Sequence, residues 1–289
     1  SALAPVGVVS AIDHNDAPPA DHAILERTDR NPTHVWEEMV PVQTGRDAHG
    51  IVSLEGYLYM LGGSISGTFP SSVLSSVERY DPVVKQWTSV GAMPTPRDGL
   101  STATAGGKIY VFGGQNASSP PSLSSVEVYD PATDSWMAKA SAPHELLYSC
   151  AVTVGDKILL IGGQLTNGTQ LNKVLEFDPV ADTWTEKAAM PHALRFVKAI
   201  TFQGKVYAIG GEDPSQVNYF QEYDPQSNTW TQRPNLLLAR AGAMAFSDGG
   251  KLYVVGGRNG AGGGWGTELS SVEVYDPVTQ TWSSAGNLP

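Results

Sequence analysis

Counting about ten residues beyond each of five evenly spaced tryptophans, equivalent positions read Arg46, Arg97, Glu145, Arg195 and Arg240. Four guanidinium groups in one row are an anion-binding set, because the planar fork of arginine matches paired oxygens of carboxylate, phosphate or sulfate. Glu145 breaks the row, following His144 in Ala-Pro-His-Glu where the second copy has Pro96-Arg97. A carboxylate among cations that could orient an anionic substrate has the parts for proton transfer. Three residues further on the row reads His49, Leu100, Tyr148, Lys198 and Ala243, so His49, Tyr148 and Lys198 place titratable groups among small or apolar ones. Trp265 alone of seven tryptophans falls outside the spacing, in a run of glycines that leaves it free to stack on a sugar or peptide. Phe69-Pro70 and Tyr219-Phe220 extend the same face. These residues define two expectations. Arg46, Arg97, Arg195, Lys198, Arg240 and Trp265 bind an acidic peptide or small anion; alternatively, Glu145, His49 and Tyr148 act as acid–base groups.

Other chemistries find no footing. There is no His-Glu-x-x-His, and the single cysteine, Cys150, rules out a cysteine-rich zinc site and any intrachain disulfide. His14 and His22 sit in an Asp-rich stretch that reads as polar chain rather than a metal site. No Gly-x-Ser-x-Gly elbow occurs, and the glycine run near residue 262 lacks the Gly-Lys-Ser/Thr of a phosphate loop. No metal and no cofactor are expected.

The elements that must position these residues repeat. Gly62-Gly63, Gly113-Gly114, Gly162-Gly163, Gly210-Gly211 and Gly256-Gly257 each close an alternating apolar strand such as Lys108–Phe112. A polar loop follows, then a second strand ending in Tyr-Asp-Pro or Phe-Asp-Pro, a turn, and a tryptophan on the next strand. The tryptophans that follow these five Asp-Pro turns are Trp87, Trp136, Trp184, Trp230 and Trp282. A small-residue strand such as Gly99–Ala105 precedes each Gly-Gly strand, which suits crowding about an axis. A period of about 50 residues with four strands per unit indicates propeller blades.

These motifs resemble those of the kelch family of β-propellers over roughly residues 26–289. The resemblance implies an all-β fold of four-stranded blades around a channel. Trp36, in register ahead of Trp87, together with the worn motif Glu26-Arg-Thr-Asp29, predicts outer strands of a further blade over 26–40. Residues 1–25 read as an irregular segment, with 4–12 supplying an inner strand. Six blades with an irregular N-terminal one are expected, five being the alternative. The resemblance further implies function at the channel mouth. Kelch adaptor domains of ubiquitin ligases bind acidic motifs through arginines there, while other kelch propellers are sugar-acid epimerases or specifier proteins. A cofactor-independent epimerase, isomerase or lyase is therefore the alternative to a binding module. The Glu-x-x-x-Asp-x-x-x-His pattern expected of specifier proteins is absent, and no His pair accompanies Cys150 and Tyr148 as a copper radical oxidase would need.

Composition bounds the rest. A 41% hydrophobic, 16% charged chain of 289 residues can bury a core, and its net charge of −11 argues against nucleic acid as a partner. No apolar run is long enough to span a membrane as a helix. A monomer is expected, either cytoplasmic or secreted. Asn116-Ala-Ser118 and Asn167-Gly-Thr169 form glycosylation-type triplets of the kind chance produces.

Overall fold

The computed structural model describes residues 7–10, 22–26, 35–65, 72–117, 121–260 and 266–289. Five four-stranded antiparallel sheets stand in a ring, each with its strands in sequence order from the axis outward. The inner strands are Gly50–Leu54, Ser101–Ala105, Cys150–Val154, Lys198–Phe202 and Met244–Asp248. The second strands are Tyr57–Leu61, Lys108–Phe112, Lys157–Ile161, Lys205–Ile209 and Lys251–Val255. These second strands read as nearly unbroken apolar runs because a blade is covered by a neighbour on both faces, and four of five residues in each are buried. A three-stranded sheet, Gly7–Ser10, His22–Glu26 and Val35–Glu38 in that order, precedes the first blade.

The repeated words of the sequence have separable tasks. In each Asp-Pro turn the aspartate accepts a backbone N–H two residues on, as Asp178 Oδ1 does from Val180 at 2.9 Å. The aromatic before it packs on the blade's tryptophan, with centroids 5.1 Å apart for Tyr129 and Trp136. Each indole then reaches back to the preceding unit. Trp136 Nε1–H donates to Gly91 O, Trp184 to Ala140 O, Trp230 to Ala188 O and Trp282 to Pro234 O, at 2.8–2.9 Å. Trp87 makes the same bond to Val40 O at 2.9 Å, so the chain just after Val35–Glu38 meets the first blade as each blade meets the next.

Near the axis, polar bonds stitch neighbouring inner strands. Thr102 Oγ1 donates to Ile51 O, Thr153 to Thr104 O, Thr201 to Thr153 O and Ser101 Oγ to Ser149 O. Cys150 is a free, buried thiol whose sulfur accepts the Ala199 N–H at 3.1 Å.

Candidate functional site: the channel and its mouth

Backbone bonds fix which residues are equivalent. The second glycine of the first four pairs donates to the next blade: Gly63 to Arg97 O, Gly114 to Leu146 O, Gly163 to Leu194 O and Gly211 to Arg240 O, at 2.8–2.9 Å. The true row is therefore Arg46, Arg97, Leu146, Leu194 and Arg240, each ten residues after its tryptophan. Glu145 and Arg195 lie one position to either side of it.

Arg46, Arg97 and Arg240 do not line the mouth. They are 3%, 0% and 0% exposed, and each is enclosed within its own blade. Arg97 Nη1 donates to Gly113 O at 2.8 Å and Ser125 O at 3.2 Å, while Nη2 pairs with Glu127 at 3.1 Å. Arg46 repeats this with Gly62 O, Ser76 O and Glu78, and Arg240 with Gly256 O, Ser271 O and Glu273. Burial pulls the three guanidinium pKa values down and the paired carboxylates oppose it. Their capacity is spent on the turn after Gly-Gly, which accounts for the recurrence without a ligand.

The third and fourth blades replace the pair. In the third, Leu146 and Leu175 take the places of arginine and glutamate within one apolar cluster. In the fourth, Leu194 replaces arginine but Gln221 remains, fully buried, with neither Oε1 nor Nε2 hydrogen-bonded. Gln221→Leu should therefore raise stability by about 1–3 kcal/mol, the cost of stranding a buried amide. A higher urea midpoint would show it; a lower one would mean that the amide has a role.

Two residues beyond that row the chains form the rim of the channel. Ala48, Gly99, Tyr148, Phe196 and Gly242 all have positive φ, from 48° to 63°. Each after the first donates its N–H to the carbonyl of the one before, at 2.8–3.0 Å. In three blades this position is glycine or alanine; in the third and fourth it is aromatic. The Tyr148 and Phe196 rings stack with centroids 4.2 Å apart. Tyr148 lies flat over Gly99, where a Cβ would stand 2.6 Å from its Cε1. An aromatic residue at φ near +54° costs roughly 1–2 kcal/mol over an ordinary conformation, so the pair is retained against strain. Burial, then the charge of Asp98, pushes the Tyr148 phenol up to about 12. The phenol therefore keeps its proton at neutral pH, and its oxygen accepts from Gln115 Nε2 at 3.3 Å.

Arg195 sits at the mouth, its side chain 32% exposed. Its Cζ lies 5.3 Å from the Phe196 ring centroid, Nε donates to Glu212 at 2.7 Å and Nη1 to Gln164 at 2.8 Å, which leaves Nη2 without a hydrogen bond. The rim residues and the starts of the inner strands together line a cavity of about 140 Å³. His49 and Lys198 both line it, although they occupy different rows. His49 matches Leu100, Ser149, Val197 and Ala243, whereas Lys198 matches Gly50, Ser101, Cys150 and Met244 by its pairing opposite the residue before Gly-Gly. Among the described residues, Lys198 is the one lysine or arginine with no hydrogen bond, ion pair or ring contact. Glu145 is not among the residues that line the cavity; its carboxylate accepts the Thr166 N–H at 2.7 Å. Of the aromatic contacts expected around the mouth, Phe220 is core, Tyr219 stacks on His192 at 4.1 Å, and Trp265 and Phe69 lie outside the described residues. The described residues contain no cluster of three or more metal-ligating side chains.

Of the rim residues the sequence singled out Tyr148 alone, as a titratable group, since glycine, alanine, tyrosine and phenylalanine share only a backbone conformation. The recurrence of Gly99 and Gly242 at matching places was the one available signal.

A propeller with an axial channel, a buried Arg–Glu pair in three blades and a Trp bond between units defines the class of protein. The KLHDC2/KLHL20/DRC7 Kelch-repeats domain matches residues 13–211 and 138–287. The chain belongs to the kelch-repeat family, whose propellers are generally binding modules. It is 42% identical over 87 residues to Kelch-like protein 25 of Rattus norvegicus, covering 27% of this chain but only 14% of that protein. Beta-scruin of Limulus polyphemus is 32% identical over 79 residues, 27% of this chain and 8% of its own. A solved structure titled "Structure of YjhT" superposes with a TM-score of 0.77 over 92% of this chain and 91% of that one, at 18% identity, a likeness of fold.

Proposed function

We propose that this propeller binds an acidic segment of a partner protein at the channel mouth, over the sector formed by the third to fifth blades. Lys198 carries the reading: an unpaired cation lines the channel of a protein whose net charge is −11. Arg195 supports it with a guanidinium held by Glu212 and Gln164 and an Nη2 still available to a carboxylate. Tyr148 adds a protonated phenol. Asp47 and Asp98, buried in the first two blades, raise the Tyr148 phenol through their charge, so the Lys198–Arg195 side of the mouth is the better place for an anion. Glutamate-rich peptides, assayed by fluorescence anisotropy, should bind and lose at least tenfold in affinity with Lys198→Met or Arg195→Met. Binding should also weaken as salt rises, because contacts at the mouth are screened. An affinity that neither variant changes would sink the proposal.

A further inference from the structure

We propose that the half-open channel beside the Tyr148–Phe196 stack is a site for a short-chain monocarboxylate, taken as a free small molecule. The inference rests on the reading of Lys198 as a cation awaiting an anion, and it concerns the interior rather than the mouth. Three observations carry it. The first is charge: the cavity lining holds Lys198 and no aspartate or glutamate. One unpaired ammonium compensates one negative charge, so a dianion such as phosphate would keep a charge without a partner there.

The second is the chemistry of the remaining wall. Ile51, Leu100, Ala151, Val197, Ala243 and Met244 give it an apolar body. The aliphatic hydroxyl groups of Thr102 and Ser101 within it are already engaged: Thr102 donates to Ile51 O, and Ser101 donates to Ser149 O while its oxygen lies 2.8 Å from Ser149 Oγ. Such a wall rewards a ligand with a single charged end and a hydrocarbon remainder. The third is size. The cavity measures about 140 Å³. A dry cavity of roughly 150 Å³ admits a molecule as large as benzene, about six heavy atoms. Butyrate has that size, whereas a peptide does not.

The rim explains why such a ligand would be retained. The stacked rings cover one side of the opening, and Ala48, Gly99 and Gly242 leave the other side without large side chains. The strain borne by Tyr148 and Phe196 is then the cost of roofing the site.

The test titrates the whole chain with butyrate, butyramide and inorganic phosphate by isothermal calorimetry. Saturable one-to-one binding of butyrate is expected, with butyramide and phosphate at least tenfold weaker. Lys198→Met should abolish it, and Lys198→Arg should restore part of it, since Arg keeps the charge where a packing role would not care about it. The proposal is overturned if butyrate fails to saturate, if Lys198→Met binds it unchanged, or if butyramide or phosphate binds as well. Glutamate-rich peptides separate the two readings. If they bind and butyrate does not, the interior site falls and the mouth reading stands; if butyrate binds and they do not, only the mouth reading falls.

Discussion

Arg97→Leu is expected to destabilise the propeller by about 3–5 kcal/mol, the usual result of removing one member of a buried ion pair. The loss leaves Glu127 in a nearly dry site, 6% exposed, and strips two carbonyl oxygens, Gly113 O and Ser125 O, of a donor. Adding Glu127→Leu should recover most of the loss. The double variant reproduces the arrangement of the third blade, where Leu146 and Leu175 are 1% and 2% exposed. Urea unfolding of the three proteins measures the sequence of effects. A single variant as stable as the parent, or a double variant no better than the single, would show that the pair is not what holds the turn.

Gly113→Ala should cost about 2–5 kcal/mol, combining a left-handed backbone with a collision in a packed interior. Gly113 has φ of +59°, and an added Cβ would stand 2.1 Å from Leu146 O of the next blade. Gly106 provides the control, with φ of +56° and nothing within 4 Å of the same atom. Gly106→Ala should therefore cost only the backbone term, about 1–2 kcal/mol. Thermal melts of the two variants separate conformation from contact; equal shifts would mean that the close approach between blades is unimportant.

The periodic words were legible because each performs one backbone or packing task that every blade needs. Gly-Gly fixes the turn, Asp-Pro the outer hairpin and tryptophan the bond to the preceding unit, and none of these depends on the others' side chains. The arginine row was harder to read. Aligning the copies on arginine drew attention to Arg195 and Glu145, yet the chain keeps ten residues after tryptophan in every blade, and leucine stands there in the third and fourth. Substitution of a charged pair by an apolar one conserves nothing a sequence comparison would score, although it conserves burial. Lys198 was legible as an odd residue on an inner strand. Its lack of a partner was not, since that depends on what the neighbouring inner strands present.

The Asp-Pro turns have a use that lies away from the axis. Val83, Val180 and Val278 are 81%, 87% and 90% exposed, and in each it is the backbone N–H, not the side chain, that the preceding aspartate holds. Ala132 and Gln226 occupy the same place in the other two blades. The periphery thus carries five equivalent pegs on a stiff hub, each free to change without disturbing the turn beneath it. Short epitopes grafted there would be presented radially, in fixed multivalent array, with the axis left untouched.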